Sequence, residues 1–462
     1  MVKAFIHHTN RRSMTLTVCE SVFLTAAVAL STHLLAGDRL GPVFNSPPLF
    51  WKSVLIAFVC QLCLYYADVN DFGITADRRE LLARILKALG GSSMILAALY
   101  FWFPPLVIGH GVVSLAAVLA VALVISWRVS FVWLARLFAP RKRFLIIGTS
   151  PTARSFAREL QGREDLGVEI VGFVDPDKLA TGTAKVPVIG SIEDIPAIVR
   201  ARSVDRVIVS LADARGKLPM STLLQMKLDG VTFDHLTSVY EEYTGKIAVE
   251  NLRPSWLIFA EGFRKTRGRA VIKRIIDVCF AATAILVVSP VLLLVAVAVR
   301  LTSHGPVLYH QRRVGQNGRL FYVHKFRSMV ADAEAATGAV WAAKHGDSRI
   351  TPLGRIMRRS RLDELPQLWN ILCGHMSLVG PRPERPEFVS SLRQQIPFYA
   401  NRHIVKPGLT GWAQVRYTYG ASVEDAMEKL QYDLFYIKHM SIALDLMIML
   451  ATVKTVLLRK GA

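Results

Sequence analysis

Cysteine is scarce in this chain. Five occur in 462 residues (Cys19, Cys60, Cys63, Cys279 and Cys373). Their spacing offers neither a disulfide framework nor a set of zinc ligands. Cys60 and Cys63 form a C-x-x-C, but inside an apolar run, where cysteines facing lipid or a neighbouring helix are the simpler account. Acidic residues thin out toward the C-terminus: residues 263–462 hold 13 Asp/Glu against 29 Lys/Arg, a net of +16. That basic segment contains no D-x-D, which speaks against a metal-dependent glycosyltransferase moving a sugar alone. None of the twelve tyrosines has a lysine four residues later, which speaks against nucleotide-sugar epimerase or dehydratase chemistry. Internal repeats, low-complexity tracts and nucleic-acid motifs are missing as well. The run Met14–Leu35 lacks a small-residue cleavage site, so no cleavable signal peptide is expected.

What is abundant is apolar sequence. Hydrophobic residues make up 52% and mean hydropathy is +0.35. They gather before Phe138 and again between Ile275 and Val299, the distribution of a membrane protein. Four spans are expected: Met14–Leu35, Leu49–Ala67, Ala88–Val107 and Val112–Leu134. Each is near the roughly 20 residues needed to cross the hydrocarbon core. Lys3, Arg11 and Arg12 precede the first span, Arg78, Arg79, Arg84 and Lys87 separate the second and third, and Arg141–Arg143 follow the fourth. The other two loops hold only Arg39. The positive-inside rule then puts the N-terminus and everything after residue 140 in the cytoplasm. Glu20, Lys52 and Arg128 lie in or near spans and are expected at the interface or facing other helices.

Residues 141–262 balance 16 cationic against 16 acidic side chains and read as a soluble α/β domain. Strands at 144–148, 170–174 and 206–210 alternate with helices beginning at 155 and 193, the pattern of a doubly wound parallel sheet, Rossmann-like. Its first turn, Gly148-Thr-Ser-Pro-Thr-Ala153, has Ser150 and Ala153 where a dinucleotide site wants glycines. A structural or regulatory role competes there with nucleotide binding. Asp175-Pro-Asp177 follows a strand and reads as a turn.

The run 272–301 is long enough to span, yet Lys273 and Arg274 flank one end and Arg300, Arg312 and Arg313 the other. Cationic flanks at both ends put both ends in the cytoplasm. Ser289-Pro290 lies between them: proline removes a backbone donor, and a serine hydroxyl can bond a freed carbonyl. A helix that enters, breaks at this pair and returns is expected, against the plainer alternative of a kinked span. Ser441–Leu458 carries Asp445 and Lys454 and is expected to lie along the membrane surface.

The chemistry concentrates in the last two hundred residues. Asp363 and Glu364 are adjacent and surrounded by Arg358, Arg359 and Arg361, with Pro366 just beyond. On a helix such neighbours point about 100° apart, so one can face a phosphorus while the other holds a metal. Phosphoryl transfer needs an in-line nucleophile, a divalent cation and cationic side chains. An acidic helix cap paired with surface arginines fits the pair alone equally well.

Longer strings go further. Lys273-Arg-Ile-Ile-Asp277, Lys325-Phe-Arg-Ser-Met329, Asp363-Glu-Leu-Pro-Gln-Leu-Trp-Asn370, Ser377-Leu-Val-Gly-Pro-Arg-Pro383 and Lys406-Pro-Gly-Leu-Thr-Gly-Trp-Ala-Gln414 resemble, in order, the bacterial sugar transferases, polyprenyl-phosphate hexose-1-phosphate transferases. The resemblance covers about residues 270–460. The four spans and Rossmann-like domain are similar to the large exopolysaccharide-initiating subgroup. The stretch 239–263, Arg382-Pro-Glu-Arg-Pro-Glu387 and Tyr419-Gly-Ala-Ser-Val-Glu-Asp425 look similar to its exosortase-associated branch.

The resemblance implies three parts: a four-helix transmembrane domain (1–140), a Rossmann-like cytoplasmic domain (141–262) and a mostly helical catalytic domain (263–462) with a re-entrant helix at 272–301. It implies that Asp363 attacks the β-phosphate of a UDP-sugar, releasing UMP, and that undecaprenyl phosphate then takes the phosphosugar. Glucose and galactose are the expected sugars. Glu364, with Asp363, would hold Mg²⁺. Arg358 would bind phosphate, Pro381, Arg382 and Pro383 would shape the nucleotide site, and Lys325, Arg327 and Gln367 would support it. Ser289 and Pro290 would break the re-entrant helix. The expected setting is the bacterial inner membrane, as a homodimer, with anionic lipid and no nucleic acid as a partner.

Overall fold

The computed structural model describes residues 11–36, 47–69, 78–108, 111–138, 141–161, 163, 166–175, 186–210, 219–249, 262–263, 266–330, 333, 349–417, 420 and 422–457. Lys3, Arg39, Pro176, Asp177, residues 250–261, Tyr419 and Leu458, which entered the expectations above, lie outside them. The chain forms two compact units, Val2–Tyr243 and Thr244–Ala462.

The first unit opens with four apolar helices, α1 (Arg11–Ala36), α2 (Pro47–Tyr66), α3 (Arg78–Trp102) and α4 (Val112–Phe138). All four are long and apolar enough to cross a membrane. The third begins ten residues before the expected Ala88 and ends at Trp102, because Pro104–Leu106 forms a separate 3-10 turn. Its cationic first turns are helical, which hydropathy alone does not register. The charged residues face inward as expected. Glu20 on α1 and Arg128 on α4 are both buried and pair at 2.6 Å, and Arg128 also donates to Val69 O. Lys52 donates to Val107 O. A charge in this setting is tolerable only with such partners.

A parallel five-stranded sheet follows, in the order β3-β2-β1-β4-β5. Its strands are β1 (Lys142–Ile147), β2 (Val168–Val174), β3 (Val188–Gly190), β4 (Arg206–Val209) and β5 (Thr232–His235). Helices α5 (Pro151–Gln161), α6 (Ile195–Arg202), α7 (Met220–Leu228) and α8 (Leu236–Thr244) follow β1, β3, β4 and β5 in turn. The doubly wound sheet is the expected one. Phe144-Leu-Ile-Ile147 is wholly buried, as a central parallel strand requires. At its C-terminal end Ser150 Oγ meets Ser210 Oγ at 2.6 Å, and Thr149 Oγ1 donates to Asp175 Oδ2. The polar side chains of this turn therefore satisfy one another.

The second unit begins earlier than residue 263. Trp412 Nε1 donates to Gly245 O, Ile247 N donates to Gln431 O, and Lys246 pairs with Glu428. Its longest element is α9 (Arg267–Thr302), 36 residues or about 54 Å. The helix does not break at Ser289-Pro290, and helical structure continues through the pair. Proline leaves Leu286 O without its usual backbone donor, and Ser289 Oγ donates to that oxygen at 2.8 Å. The hydroxyl replaces the missing donor and keeps the helix whole.

Both halves of α9 pack on the same unit. Arg274 donates to Ile371 O and Leu372 O, Asp277 accepts from Leu378 N, and Ala281 enters the main core. Beyond Pro290, Leu292, Val295 and Val299 pack with Phe326 and Met357. Between these contacts Leu286, Val287, Leu293 and Leu294 are each at least two-thirds exposed.

A hairpin, β6 (Leu308–Val314) with β7 (Leu320–Phe326), leads to α10 (Pro352–Ser360), α11 (Gln367–Leu372) and β8 (Ser377–Val379). Then come α12 (Pro386–Gln395), β9 (Gly408–Thr410), α13 (Trp412–Arg416), α14 (Val423–His439) and α15 (Ile442–Leu457). The last helix buries Leu444 and Ile448 and exposes Ile442, Leu446, Leu450 and Val453 along the opposite stripe. At 16 residues it is short for a span, and its apolar outer stripe agrees with a helix lying on a membrane.

Candidate active site

The acidic pair does not sit on an α-helix. Thr351 caps α10 by accepting from Gly354 N, and Pro352 opens its first turn. The helix ends at Arg361, whose φ of 56° turns the chain sharply. Asp363 and Glu364 then lie on a single 3-10 turn, Leu362–Glu364, immediately before Pro366 and α11. Gly354 admits no side chain, because a Cβ there would stand 2.0 Å from Ser328 O, so α10 lies directly on the strand-end segment that follows β7.

Both carboxylates are buried, at 7% and 8% exposure. Glu364 Oε1 accepts from Lys325 Nζ at 3.0 Å and from Arg382 Nη2 at 2.7 Å, and Arg361 stands 3.8 Å from Oε2. Burial alone would raise the Glu364 pKa, but Arg382, Lys325 and Arg361 outweigh it and hold this carboxyl well below the usual range. Asp363 differs. Its Oδ1 is buried with no hydrogen-bond partner. Burial and the charge of Glu364 push its pKa up, against the pull of Lys325, Arg358 and Arg361. Two neighbouring carboxylates are thus driven apart, one locked as an anion and one held at a cost, as at acid–base and nucleophile pairs elsewhere. Burial lowers the Lys325 pKa, opposed by Glu364.

The Pro381-Arg382-Pro383 loop is fixed through its carbonyls. Gly408 N donates to Pro381 O, Arg402 Nη2 to Arg382 O, Arg313 Nη1 to Pro383 O and Val314 N to Glu384 O. From this fixed backbone the side chain of Arg382 reaches Glu364. Arg402 is itself buried, paired with Asp433 at 2.7 Å and donating to Tyr399 Oη. No motif announces Arg402 or Asp433, which lie 31 residues apart in the chain.

The other expected residues are placed as follows. Arg358 Nε donates to Ser328 Oγ, and its charge reaches Asp363. Gln367 is buried at the start of α11. Arg327 turns toward the end of α9, donating from Nη2 to Ser303 O and Oγ at 2.7 Å each. Gly305 (φ 118°) lets it pass, since a Cβ there would stand 2.3 Å from Nη1. Ser289 and Pro290 lie on the exposed middle of α9, apart from the acidic pair in sequence and packing.

Mg²⁺ suits this donor set. It takes hard oxygen ligands and commonly keeps one or two carboxylates, completing its shell with water and substrate phosphate. Asp363 Oδ1, buried and unpartnered, and the adjacent Glu364 carboxylate supply such oxygens. Among the described residues no cluster of three His, Cys, Asp or Glu could hold a metal unaided.

The model of the bacterial sugar transferase family matches residues 268–459, and a CoA-binding domain model matches residues 67–219. A UDP-N-acetylgalactosamine-undecaprenyl-phosphate N-acetylgalactosaminephosphotransferase from Aeromonas hydrophila is 42% identical over 228 residues, 49% of this chain and 53% of that protein. A UDP-glucose:undecaprenyl-phosphate glucose-1-phosphate transferase from Xanthomonas campestris pv. campestris is 35% identical over 335 residues, 70% of this chain and 68% of that protein. An exopolysaccharide production protein from Rhizobium leguminosarum bv. phaseoli is 41% identical over 194 residues, 41% of this chain and 96% of that protein. The chain thus spans about half the length of the Aeromonas relative and about two-thirds of the Xanthomonas one. The chain belongs to the bacterial sugar transferase family.

Proposed function

We propose that this chain transfers hexose-1-phosphate from a UDP-sugar to undecaprenyl phosphate, releasing UMP, at the cytoplasmic face of the bacterial inner membrane. It would thereby initiate exopolysaccharide or capsule repeat-unit assembly, acting as a homodimer. The observation that carries this reading is Asp363: a buried carboxylate with an unpartnered oxygen, facing the charges of Lys325, Arg358 and Arg361.

Asp363 attacks the β-phosphorus of the donor. The bond from that phosphorus to the bridging oxygen breaks, its electron pair leaves with UMP, and an aspartyl-phosphosugar forms. A phosphate oxygen of undecaprenyl phosphate then attacks the same phosphorus, which frees Asp363 and completes the product. The surrounding cations stabilise charge on the phosphoryl oxygens. Arg358 contacts donor phosphate, the fixed 381–383 loop with Arg382 borders the nucleotide, and Lys325, Arg327 and Gln367 support them. Bound Mg²⁺, held by Glu364 and Asp363, would polarise the phosphoryl group and offset its charge.

The membrane arrangement fits a cytosolic donor and a lipid acceptor. A straight helix of about 54 Å exceeds the roughly 30 Å hydrocarbon core, and both of its ends are held by one compact unit. A helix bent at Pro290 but kept continuous by the Ser289 hydroxyl, entering and returning on the same face, accounts for both facts. The net +16 of residues 263–462 draws anionic lipid and both phosphorylated substrates to that surface.

The test is UMP release by purified protein with Mg²⁺, undecaprenyl phosphate and a panel of UDP-glucose, UDP-galactose and UDP-N-acetylgalactosamine. Lipid-dependent release with one sugar, reduced by roughly a thousandfold or more in Asp363→Asn, is expected. Wild-type turnover in Asp363→Asn sinks the nucleophile assignment. No release with any donor sinks the reading.

A further inference from the structure

Resting on the donor and Mg²⁺ of the preceding reading, we infer that Glu364 is closed to a divalent cation until the donor's diphosphate arrives, so that metal and donor enter together. In this structure Glu364 Oε1 is shared by Lys325 and Arg382, and its Oε2 faces Arg361. A metal ion approaching Glu364 meets those cations first. Counting Arg358, four cationic side chains act on two carboxylates, an excess of two positive charges. Among the described residues no third carboxylate, imidazole or thiolate joins the pair to offset that excess.

A nucleoside diphosphate reverses both terms. Its oxygens accept from the same lysine and arginine, which favour phosphate as readily as carboxylate. Drawing Lys325 and Arg382 onto phosphate releases Glu364, and the added negative charge cancels the local excess. The movement needed is small. The loop bearing Arg382 is held at four consecutive carbonyls, while the arginine side chain is 28% exposed and can swing on a fixed backbone. By linkage the effect is reciprocal: metal then tightens diphosphate by the factor that diphosphate tightens metal.

The probe is Mn²⁺, a hard oxygen-seeking ion whose free and bound forms are separated by electron paramagnetic resonance. It is titrated into the purified full chain with and without α,β-methylene-UDP, whose bridge cannot be cleaved. Without nucleotide, wild type is expected to bind no more Mn²⁺ than Glu364→Gln. With nucleotide, wild type should bind it roughly tenfold or more tightly than Glu364→Gln does under the same conditions. Arg382→Gln removes one competing cation, so its nucleotide-free Mn²⁺ affinity should rise roughly tenfold or more. If Glu364→Gln fails to fold, Arg382→Gln against wild type decides by itself. Glu364-dependent Mn²⁺ binding of equal strength with and without nucleotide overturns the exchange and leaves the metal assignment standing. No Glu364-dependent binding in either condition overturns both.

Discussion

Asp363 meets two opposed demands. In the proposed mechanism its carboxylate must be ionised to attack phosphorus, yet burial and Glu364 favour the protonated form. Turnover should therefore fall as pH is lowered through a pKa above the ordinary aspartate value of about 3.9. Arg358 pulls that pKa down. Arg358→Gln should accordingly move the acid limb of the kcat/KM profile to higher pH, whatever it does to the plateau, and a pH–rate series reads this directly. An unmoved limb would assign it to another group. Arg402 acts one step further out, through the carbonyl of Arg382. Replacing either member of its buried pair with Asp433 leaves a charge without its partner, at a cost of about 3–5 kcal/mol. Asp433→Asn should show this as a large drop in thermal stability. Arg402→Lys keeps the charge but not the fork of donors, so it should lose kcat/KM while unfolding nearer the wild-type temperature.

Among the elements, α9 and the 362–364 turn departed most from what their sequences suggest. The proline predicted an interruption, and the serine beside it restores the lost hydrogen bond instead, so the element is one helix. Proline still clashes with the preceding turn and biases the axis toward bending. Pro290→Ala should shift α9 toward a full crossing. In a cysteine-free background, a cysteine at His304 is expected to react only with reagent on the cytoplasmic side in the Pro290 protein. In Pro290→Ala a fraction should react from the opposite side, and unchanged one-sided labelling would show that the proline does not set the path. Pro366 and the apolar residues after it look helical. They are, from Gln367 onward. What local periodicity could not display was Arg361 in a left-handed conformation, which ends α10 two residues before Asp363.

At the scale of the molecule, hydropathy length made the apolar helices legible, and the alternation of short apolar strands with helices made the parallel sheet legible. The motif strings named most of the residues around Asp363. Arg402, Asp433 and the carbonyl tethers were illegible, because they depend on loops and helices far apart in the chain meeting in space. The start of the second unit was illegible for the same reason: residues 244–249 look like the tail of the α/β domain and are bound by α14 and Trp412. The Rhizobium relative aligns over 96% of its own length to 41% of this chain, a stretch about as long as the one that the family model matches. A fragment of residues 244–462 inserted in membranes should therefore keep UMP release within roughly tenfold of the full chain. Loss of release with retained membrane binding would give the first unit a direct part in catalysis. On the proposed placement, α9 is packed at both ends on one compact unit while its exposed middle rests in lipid, so the bilayer acts as a ligand of the folded state and the acyl-chain length of the surrounding lipid or detergent should shift the stability of the active site.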